Sequence, residues 1–456
     1  MKIDTTLTLE SLQPALERFW KISGQKIKLI EAEYDASKGS PVFTVEGKYT
    51  TRGWTEWTQG FQFGSAILQF DATGDESFLQ YGREQTLAVM APHITHKGVH
   101  DHGFNNVSTY GNLRRLMREG KIPHNEWEMN FYEMALKASG SVQAMRWSPN
   151  DKGGYLYSFN GPHSLFVDTI RTIRAVEMSW LLGHSLLTDN DAAINLLERA
   201  LNHARSTAAY NIFYGEGRDK YDEWGRTAHE AIFNINDGAF RCPNAQQGFS
   251  GFTTWTRGLS WAMLGFPEQL ELVAEVPDAE LEPLGGRAEV EAFLLKAARA
   301  TNDFFIANTA SDGIPYWDTG APKLYQLGNY TERPADPFND WEPVDSSAAA
   351  IGVQGLLRLG KYLKDKGETA DGERYWQAGL TSLKALLDEP YLSTDEKHQG
   401  LTLHSIYHEP NGWDHVPAGQ KIACGEASMW GDYHMRESAL LVTRMLKGEP
   451  YYRFFN

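Results

Sequence analysis

The chain has 456 residues, 41% of them hydrophobic, and its mean hydropathy of −0.46 and lack of a long apolar run argue against a membrane span. Its 43 Lys and Arg residues against 59 Asp and Glu residues give a formal charge of −16, which argues against nucleic acid as a partner because phosphate binding needs basic clusters. Cys242 and Cys424 suit neither a disulfide framework nor a zinc site, and residues 1–25 lack a signal-peptide pattern, so we expect free thiols and a cytoplasmic protein.

Helical periodicity dominates the chain. Amphipathic or wholly apolar segments cover residues 7–20, 61–70, 76–89, 127–138, 165–182, 192–209, 253–264, 290–308, 346–363, 370–387 and 437–446. Strand-like patterns are confined to residues 26–34 and 232–240, and no low-complexity linker divides the chain. About a dozen helices without a domain break predict one all-α domain over residues 1–456, a closed ring of helical hairpins whose inner helices are apolar all round.

Several predicted inner helices begin close to a polar or charged cluster. These clusters are HDHGFNN (100–106), NGPHSLFVD (160–168), QQGFSGFTTWTRG (246–258), PVDSSAAA (343–350) and MWGDYHMRE (429–437). If the inner helices run in parallel, the clusters converge on one end of the ring. The sequence therefore predicts a functional site at that shared mouth.

Asp168 is the single carboxylate in the apolar run of residues 160–173, near the start of a predicted helix. Phe166, Ile170 and Ile173 recur at roughly helical spacing, so Asp168 is expected to be poorly solvated. A carboxyl group in such surroundings is paired, hydrogen-bonded or protonated, and the protonated form suits a general acid near neutral pH. Arg171, on the same face, offers a local ion pair instead, so a structural role stays open.

A second cluster holds His96, His100, Asp101 and His102. Three histidines and a carboxylate so close together could bind a metal ion, with His96 and His100 at a helical spacing of four. Gly98 lies between them and makes a straight helix doubtful. The alternative is a carboxylate flanked by hydrogen-bond donors, or Asp101 acting as a helix cap, and we expect no metal or other cofactor.

Two further groups are candidate ligand-binding positions, and the first suits an anionic, ring-shaped ligand. Arg257 and Trp261 are four residues apart on a predicted helix, which would place a planar cation beside an indole; a packing pair is the alternative. His229 lies before the strand-like residues 232–240, and Gln246 and Gln247 lie after them. By itself this second pattern is weak.

Taken together, the motifs resemble those of the unsaturated glucuronyl hydrolases of glycoside hydrolase family 88, close to the unsaturated rhamnogalacturonyl hydrolases. The resemblance runs from about Trp57 to Leu446. It rests on WTQGFQFGSAIL (57–68), HDHGF (100–104), FVDTI (166–170), QGFSGFTTWTRGLSW (247–261), DGIPYWD (312–318), DSSAAA (345–350) and GEASMWGDYHMRESALL (425–441). Each fragment is weak, but seven fragments in the family's order are a specific signal.

The resemblance implies an (α/α)6 barrel with a deep pocket. The family hydrates the double bond of a 4-deoxy-4,5-unsaturated uronic acid at the non-reducing end of lyase-generated oligosaccharides. Asp168 matches the acid/base that protonates carbon 4 and activates water for carbon 5, and Asp101 matches a second essential carboxylate that binds sugar hydroxyls. The remaining matches are substrate-binding positions: His100, Trp147, His229, Gln247, Arg257, Trp261 and, as support for a pocket wall, Trp57.

The chain departs from the family in two places. Arg171 stands where the family usually has an apolar residue or Met, and it would lower the pKa of Asp168 if it faced that carboxyl. An insertion falls within residues 202–227. Two other functions therefore stay open: a sugar isomerase or epimerase, whose paired histidines would need a partner for His229, and a non-catalytic sugar-binding protein. We expect a monomer or homodimer whose ligand is an unsaturated oligosaccharide.

Overall fold

The computed structural model describes residues 1–52 and 56–455, and most of it is helical. The α-helices are α1 (Leu9–Glu33), α2 (Gln59–Thr73), α3 (Glu76–Val89), α4 (Ala91–Ile94), α5 (Asn112–Arg118), α6 (Glu126–Ala144), α7 (Thr169–Thr172), α8 (Arg174–Leu181), α9 (Leu196–Tyr210), α10 (Thr256–Glu275), α11 (Asp278–Leu281), α12 (Arg287–Asn308), α13 (Ser346–Asp365), α14 (Thr369–Leu386) and α15 (Met429–Leu446). A π-helix, Gly103–Gly111, runs directly into α5. Residues 53–55 and 456, which the predicted domain includes, lie outside this description.

Six pairs of inner and outer helices close into a ring. The inner ring runs α2, the π-helix, α7 with α8, α10, α13 and α15, and α15 packs back against α2. The outer helices α1, α3, α6, α9, α12 and α14 each pack against one or two inner helices. Gln59–Ala72 of α2 is buried throughout, as expected for a helix enclosed on all sides. The predicted ring of helical hairpins is confirmed.

Side-chain caps fix where several of these helices begin. Thr8 and Ser11 form a reciprocal capping box on α1, and Ser428 accepts a hydrogen bond from the Gly431 N–H at the start of α15. Asp345 caps α13 by accepting from the Ser347 N–H. The N-termini of α13 and α15 lie at the mouth of the ring, and the α13 cap Asp345 also pairs with Arg257 of the cavity lining.

Short strands lie in the loops between the helices. Within the described ranges they are β1 (Pro41–Val45), β2 (Lys48–Thr51), β3 (Trp147–Ser148), β4 (Tyr155–Leu156), β5 (Ser164–Phe166), β6 (Leu186–Leu187), β7 (Ala193–Ile194), β8 (Glu230–Phe233) and β9 (Phe240–Asn244). The largest sheet has the antiparallel order β5-β8-β9. This sheet matters for function because β5 leads directly into Asp168.

The predicted helical segments all overlap observed helices, but three local predictions are wrong. Residues 26–34 are not a strand: Ile27 and Ile30, three apart, are buried on one face of the C-terminal half of α1. Residues 232–240 are not one strand but the end of β8, a turn and the start of β9. The predicted helix 165–182 starts with β5, and helical structure begins only after Asp168.

Across the described ranges, no helix is long and apolar enough to cross a membrane.

Candidate active site

A cavity of about 340 Å³ opens where the inner helices begin. Its lining residues are Trp57, His96, Gly98, Val99, His100, Asp101, Phe104, Phe159, Phe166, Asp168, Gln246, Gln247, Trp255, Arg257, Trp261, Tyr407 and His408. Seven of the nine predicted site residues are among them; Trp147 and His229 are not. A larger groove of about 620 Å³ lies on the outside, along α1, but the described residues that line it include no histidine. The smaller cavity brings His100, Asp101 and Asp168 together, which makes it the candidate site for acid–base chemistry.

Asp168 lies at the junction of β5 and α7, where the chain turns from strand into helix. Because β5 pairs with β8, the Val167 N–H donates to the carbonyl of His229 (2.9 Å). This pairing brings the His229 ring beside the Asp168 carboxylate, with 4.0 Å between Nε2 and Oδ2. Two residues 61 positions apart in the chain are thus held together by a strand pair.

His100 and Asp101 immediately precede the π-helix and reach the same point from the other side. Gly103 allows this approach, because a Cβ there would lie 2.2 Å from the carbonyl oxygen of Thr172. The side chains of Gln143 and Thr172 both donate to the carbonyl of His100, each at 2.7 Å. π-Helical turns of this kind are common at functional sites.

The carboxylates and His100 form a compact acid–base cluster. His100 Nε2 lies 3.1 Å from Asp168 Oδ1 and 3.7 Å from Asp101 Oδ1. Burial raises the pKa of Asp101, and the charge of Asp168 adds to this against the opposing effect of His100. Burial would also raise the pKa of Asp168, but the hydrogen bond and charge of His100, helped by His229 and Arg257, hold it below its ordinary value.

The pKa of His100 shifts in the direction opposite to that of Asp168. Burial lowers the pKa of His100, but Asp101 and Asp168 outweigh burial and raise it above the ordinary histidine value. Of the three states left open for a buried Asp168, the structure shows the hydrogen-bonded one, with His100 as the partner. A proton is held between His100 and Asp168, which titrate as a pair.

Arg171 does not face Asp168. Its Nη1 pairs with Glu268 (2.8 Å) and its Nη2 with Glu437 (2.7 Å), and all three side chains are buried inside the ring. The expected local ion pair with Asp168 is wrong, because α7 turns Arg171 towards α10 and α15 rather than back to its own N-terminus. The departure from the family pattern at this position therefore leaves the acid–base cluster untouched.

Arg257 lines the cavity, but its donors are directed to protein acceptors. Its Nη1 donates to Asp345 Oδ2 (2.9 Å) and to the carbonyl of Ile406, and its Nη2 donates to Gln247 Oε1 and the carbonyl of Tyr407, both at 2.7 Å. The guanidinium lies 4.6 Å from the Trp255 ring and 4.9 Å from the Trp430 ring, not against Trp261 as predicted. The guanidinium is neutralised by Asp345 and ties the 406–408 segment to α10.

Aromatic rings enclose the rest of the cavity. Trp261 packs against Phe104 (4.7 Å between ring centroids), and Trp57 stacks on Trp430 (5.0 Å, 26° between planes), which supports its predicted place in a wall. Trp147 is elsewhere: it lies in β3 with the Arg199 guanidinium 4.1 Å from its ring. The predicted contact of Trp147 with substrate is therefore not supported.

The histidine cluster is not arranged as a metal site. His102 turns away from His100: its Nδ1 meets the Ser139 hydroxyl (2.9 Å) and its Nε2 the carbonyl of His96 (3.0 Å). In the part of the chain that the structure describes, no group of three His, Cys, Asp or Glu side chains is suited to holding a metal ion. Catalysis without a metal stays a prediction.

Sequence reasoning missed several lining residues. Phe159 stacks on His100 (6.1 Å, 15°), while Tyr407 and His408 come from a loop in which Asp414 accepts from the N–H groups of both, at 2.5 and 2.7 Å. Burial raises the pKa of Asp414 to about 6. The density of aromatic residues and histidines in SIYHEPNGWDH (405–415) was the one available signal.

Comparison with known proteins gives relatives along most of the chain, although no protein-family model matches it. An unsaturated glucuronyl hydrolase of Formosa agariphila is 23% identical over 385 residues, covering 84% of this chain and 79% of that protein. One from a Bacillus species is 24% identical over 416 residues, covering 89% and 91%. An unsaturated chondroitin disaccharide hydrolase of Streptococcus pyogenes is 24% identical over 413 residues, covering 87% and 84%.

Solved structures share the fold. A crystal structure of an unsaturated glucuronyl hydrolase specific for heparin superposes with a TM-score of 0.72 at 18% identity, covering 95% of this chain and 98% of that one. The enzyme from Bacillus sp. GL1, which degrades glycosaminoglycan, gives a TM-score of 0.71 at 21% identity, with 96% and 98% covered. The toroidal fold expected from the motifs is confirmed by both.

Proposed function

We propose that this chain, which is related over most of its length to the unsaturated glucuronyl hydrolases, removes a 4,5-unsaturated uronic acid from the non-reducing end of lyase-generated oligosaccharides. The expected relationship is confirmed by those relatives. The observation that carries the proposal is the acid–base cluster of Asp168, His100 and Asp101 at one wall of an aromatic cavity of about 340 Å³. A flat, anionic sugar ring fits such a cavity.

The proposed reaction adds water across the double bond. The ring oxygen of the unsaturated sugar releases electron density as Asp168 gives its proton to carbon 4, so positive charge develops at carbon 5. A water molecule then forms a bond to carbon 5 and returns one proton to Asp168, which restores the carboxyl group. The hemiketal formed opens at the bond between carbon 5 and the ring oxygen. Carbon 1 is left as a hemiacetal that releases the next sugar.

Substrate binding supplies the protonated acid that the free protein lacks. The substrate's own carboxylate and the exclusion of water both favour neutral carboxyl groups in the cavity, so the proton of the His100–Asp168 pair moves to Asp168. Asp101, 3.7 Å from His100, holds sugar hydroxyls and keeps this proton nearby. Gln247 offers its amide nitrogen to the sugar, because its Oε1 already accepts from Arg257.

The direct test follows the ultraviolet absorbance of the conjugated acid while the protein is incubated with unsaturated disaccharides made by polysaccharide lyases. Hydration removes this absorbance and releases two products, and an Asp168→Asn protein serves as the matched control. A sugar isomerase would rearrange its substrate with the absorbance intact. A binding protein would retain the disaccharide unchanged, and either of these results would refute the proposal.

We also propose that the chain acts in the cytoplasm as one domain, either as a monomer or as a homodimer. The single core that runs from Leu7 to Phe455 supports the one-domain part of this proposal. Size-exclusion chromatography with light scattering measures the oligomeric state.

A further inference from the structure

The His229 side chain is held in one tautomer by the backbone. Its Nδ1 accepts hydrogen bonds from the N–H groups of Gln246 (3.1 Å) and Gln247 (3.3 Å). A ring nitrogen that accepts two hydrogen bonds carries no proton, so the hydrogen of the neutral imidazole is on Nε2. Burial lowers the pKa of His229 to about 4, which keeps the ring neutral at ordinary pH.

Two aromatic side chains lie between the His229 ring and the cavity. Phe166 and Trp255 cover the ring, with ring centroids 4.4 and 4.6 Å away, and these two side chains line the cavity where His229 does not. The cavity lining therefore does not support a direct contact of His229 with substrate, which the resemblance implies. The Nε2–H group is buried and has no hydrogen-bond partner among the described residues.

The catalytic carboxylate lies close to this unpaired donor. Asp168 Oδ2 lies 4.0 Å from His229 Nε2, about one ångström beyond hydrogen-bonding distance. Its other oxygen, Oδ1, already meets His100. The two oxygens of Asp168 therefore differ. Oδ1 is hydrogen-bonded to His100 in the free protein, whereas Oδ2 is free to carry the proton and faces the Nε2–H of His229, for which the described residues supply no partner.

We propose that His229 is a positioning residue that acts on Oδ2 of Asp168. A movement of about one ångström lets its Nε2–H donate to Oδ2, which stabilises the carboxylate left after Asp168 has given its proton to carbon 4. This role rests on the proposed hydration reaction. The charged or titratable groups around Asp168 are His100, Asp101, His203 and Arg257, and those around His229 are His100, Glu230, Arg257 and His408.

Two substitutions separate the two ring nitrogens. In His229→Asn the amide oxygen can replace Nδ1 as acceptor for the backbone, but the donor directed at Asp168 Oδ2 is lost. In His229→Gln the amide nitrogen can reach the position of Nε2. We expect His229→Asn to lower kcat about 10- to 100-fold with KM changed less than about threefold, and His229→Gln to recover most of that loss. The alkaline limb of the kcat profile should move to higher pH in His229→Asn, because Asp168 loses a donor to its charged form.

His404→Asn is the matched control. His404 is also buried, and its Nδ1 also accepts from a backbone N–H, that of Gly425 (3.0 Å), but its ring packs on Phe338 and Tyr391, outside the cavity. It should leave the pH profile unchanged. If His229→Asn behaves like His404→Asn, His229 is a packing residue; if the loss appears only in KM, His229 contacts the sugar. Either result overturns the inference.

A measurement without turnover keeps this inference distinct from the proposed function. In the wild-type protein, ¹⁵N NMR of labelled histidine should show His229 protonated on Nε2 alone. Carbon NMR of labelled aspartate should show a higher pKa for Asp168 in His229→Asn than in the wild type. If the wild type fails to hydrate the unsaturated sugar but both NMR results hold, the proposed reaction is wrong and the His229–Asp168 contact stands. A proton on Nδ1 would refute the contact even in an active enzyme.

Discussion

Replacing Arg257 tests whether its guanidinium builds the pocket or binds the substrate carboxylate. The side chain is 1% exposed, and the Asp345 carboxylate that it neutralises is fully buried. Removing one partner of a buried ion pair costs about 3–5 kcal/mol. Arg257→Ala should therefore lower the free energy of unfolding by about this amount. It should also reduce kcat and raise KM together, because Tyr407 and His408 lose the anchor of their loop.

Urea denaturation followed by tryptophan fluorescence measures the first effect, and the loss of ultraviolet absorbance from an unsaturated disaccharide measures the second. Arg257→Lys should recover only part of the stability and part of the activity, since a single nitrogen cannot reach Asp345, Gln247 and the two carbonyls at once. Asp345→Asn combined with Arg257→Ala should show a coupling of about 0.5–3 kcal/mol. Arg18→Ala, which breaks an exposed pair with Asp388, is the control and should cost no more than about 1 kcal/mol.

One result would refute this account of Arg257. A variant Arg257→Ala that unfolds like the wild type but binds substrate about 1–3 kcal/mol more weakly would make the guanidinium a direct receptor for the substrate carboxylate. The distinction depends on measuring stability and binding on the same protein.

The remaining predictions concern the acid–base cluster. Asp168→Asn should lower kcat by roughly a hundred- to ten-thousand-fold in the absorbance assay while melting near the wild-type temperature, whereas Asp101→Asn should lose part of its activity through KM. His100 has a raised pKa and shares a proton with Asp168, so kcat/KM should fall on the alkaline side as that proton is lost. The alkaline limb of kcat should lie at higher pH than that of kcat/KM, because the enzyme with bound substrate retains the proton. Dialysis against a chelator should leave the rate unchanged; a loss restored by one divalent ion would contradict catalysis by side chains alone.

Local periodicity was enough to predict most of the helical ring. Apolar residues at helical spacing identify the inner helices, and polar clusters at their starts place the site at one mouth. The same reasoning failed for residues 26–34. Ile27 and Ile30 fit a helix there, but the lysines at 26 and 28 also alternate with apolar residues, as in a strand. It failed again at residues 165–168, since a short apolar run before Asp168 does not distinguish a strand from a helix. In both cases packing against neighbouring helices or strands decides the outcome.

Contacts between distant parts of the chain explain what else was missed. Arg257 and Trp261 do share one helix, but Asp345, Ile406 and Tyr407 take the guanidinium, from 88 to 150 positions away. No local sequence pattern predicts a hydrogen-bond partner so far away in the chain. His229 illustrates the same limit: the resemblance placed it at the site, but only the pairing of β5 with β8 shows that it lies behind the catalytic carboxylate and not against the sugar.

The last prediction concerns Arg171, for which sequence and structure give opposite expectations. The sequence suggests that Arg171→Met would release Asp168 and move the alkaline limb of activity upwards. In the structure Arg171 pairs with Glu268 and Glu437 inside the ring, so the limb should stay where it is. The cost should instead appear as about 3–5 kcal/mol of unfolding free energy, because two buried carboxylates lose their shared cation.

This cost should depend on pH in a defined direction. Burial would raise the pKa of Glu437, but Arg171, with His434 and Arg174, holds it well below the ordinary value, so its contribution to wild-type stability is present above that ordinary value and is lost as the pH falls. Without Arg171 the buried carboxyl favours its neutral form, and the variant should be penalised less at pH 4 than at pH 8. Urea denaturation at both values, with the exposed Arg118→Met as control, measures the difference. An Arg171→Met protein of wild-type stability whose activity limb moves to higher pH would show instead that Arg171 acts on Asp168.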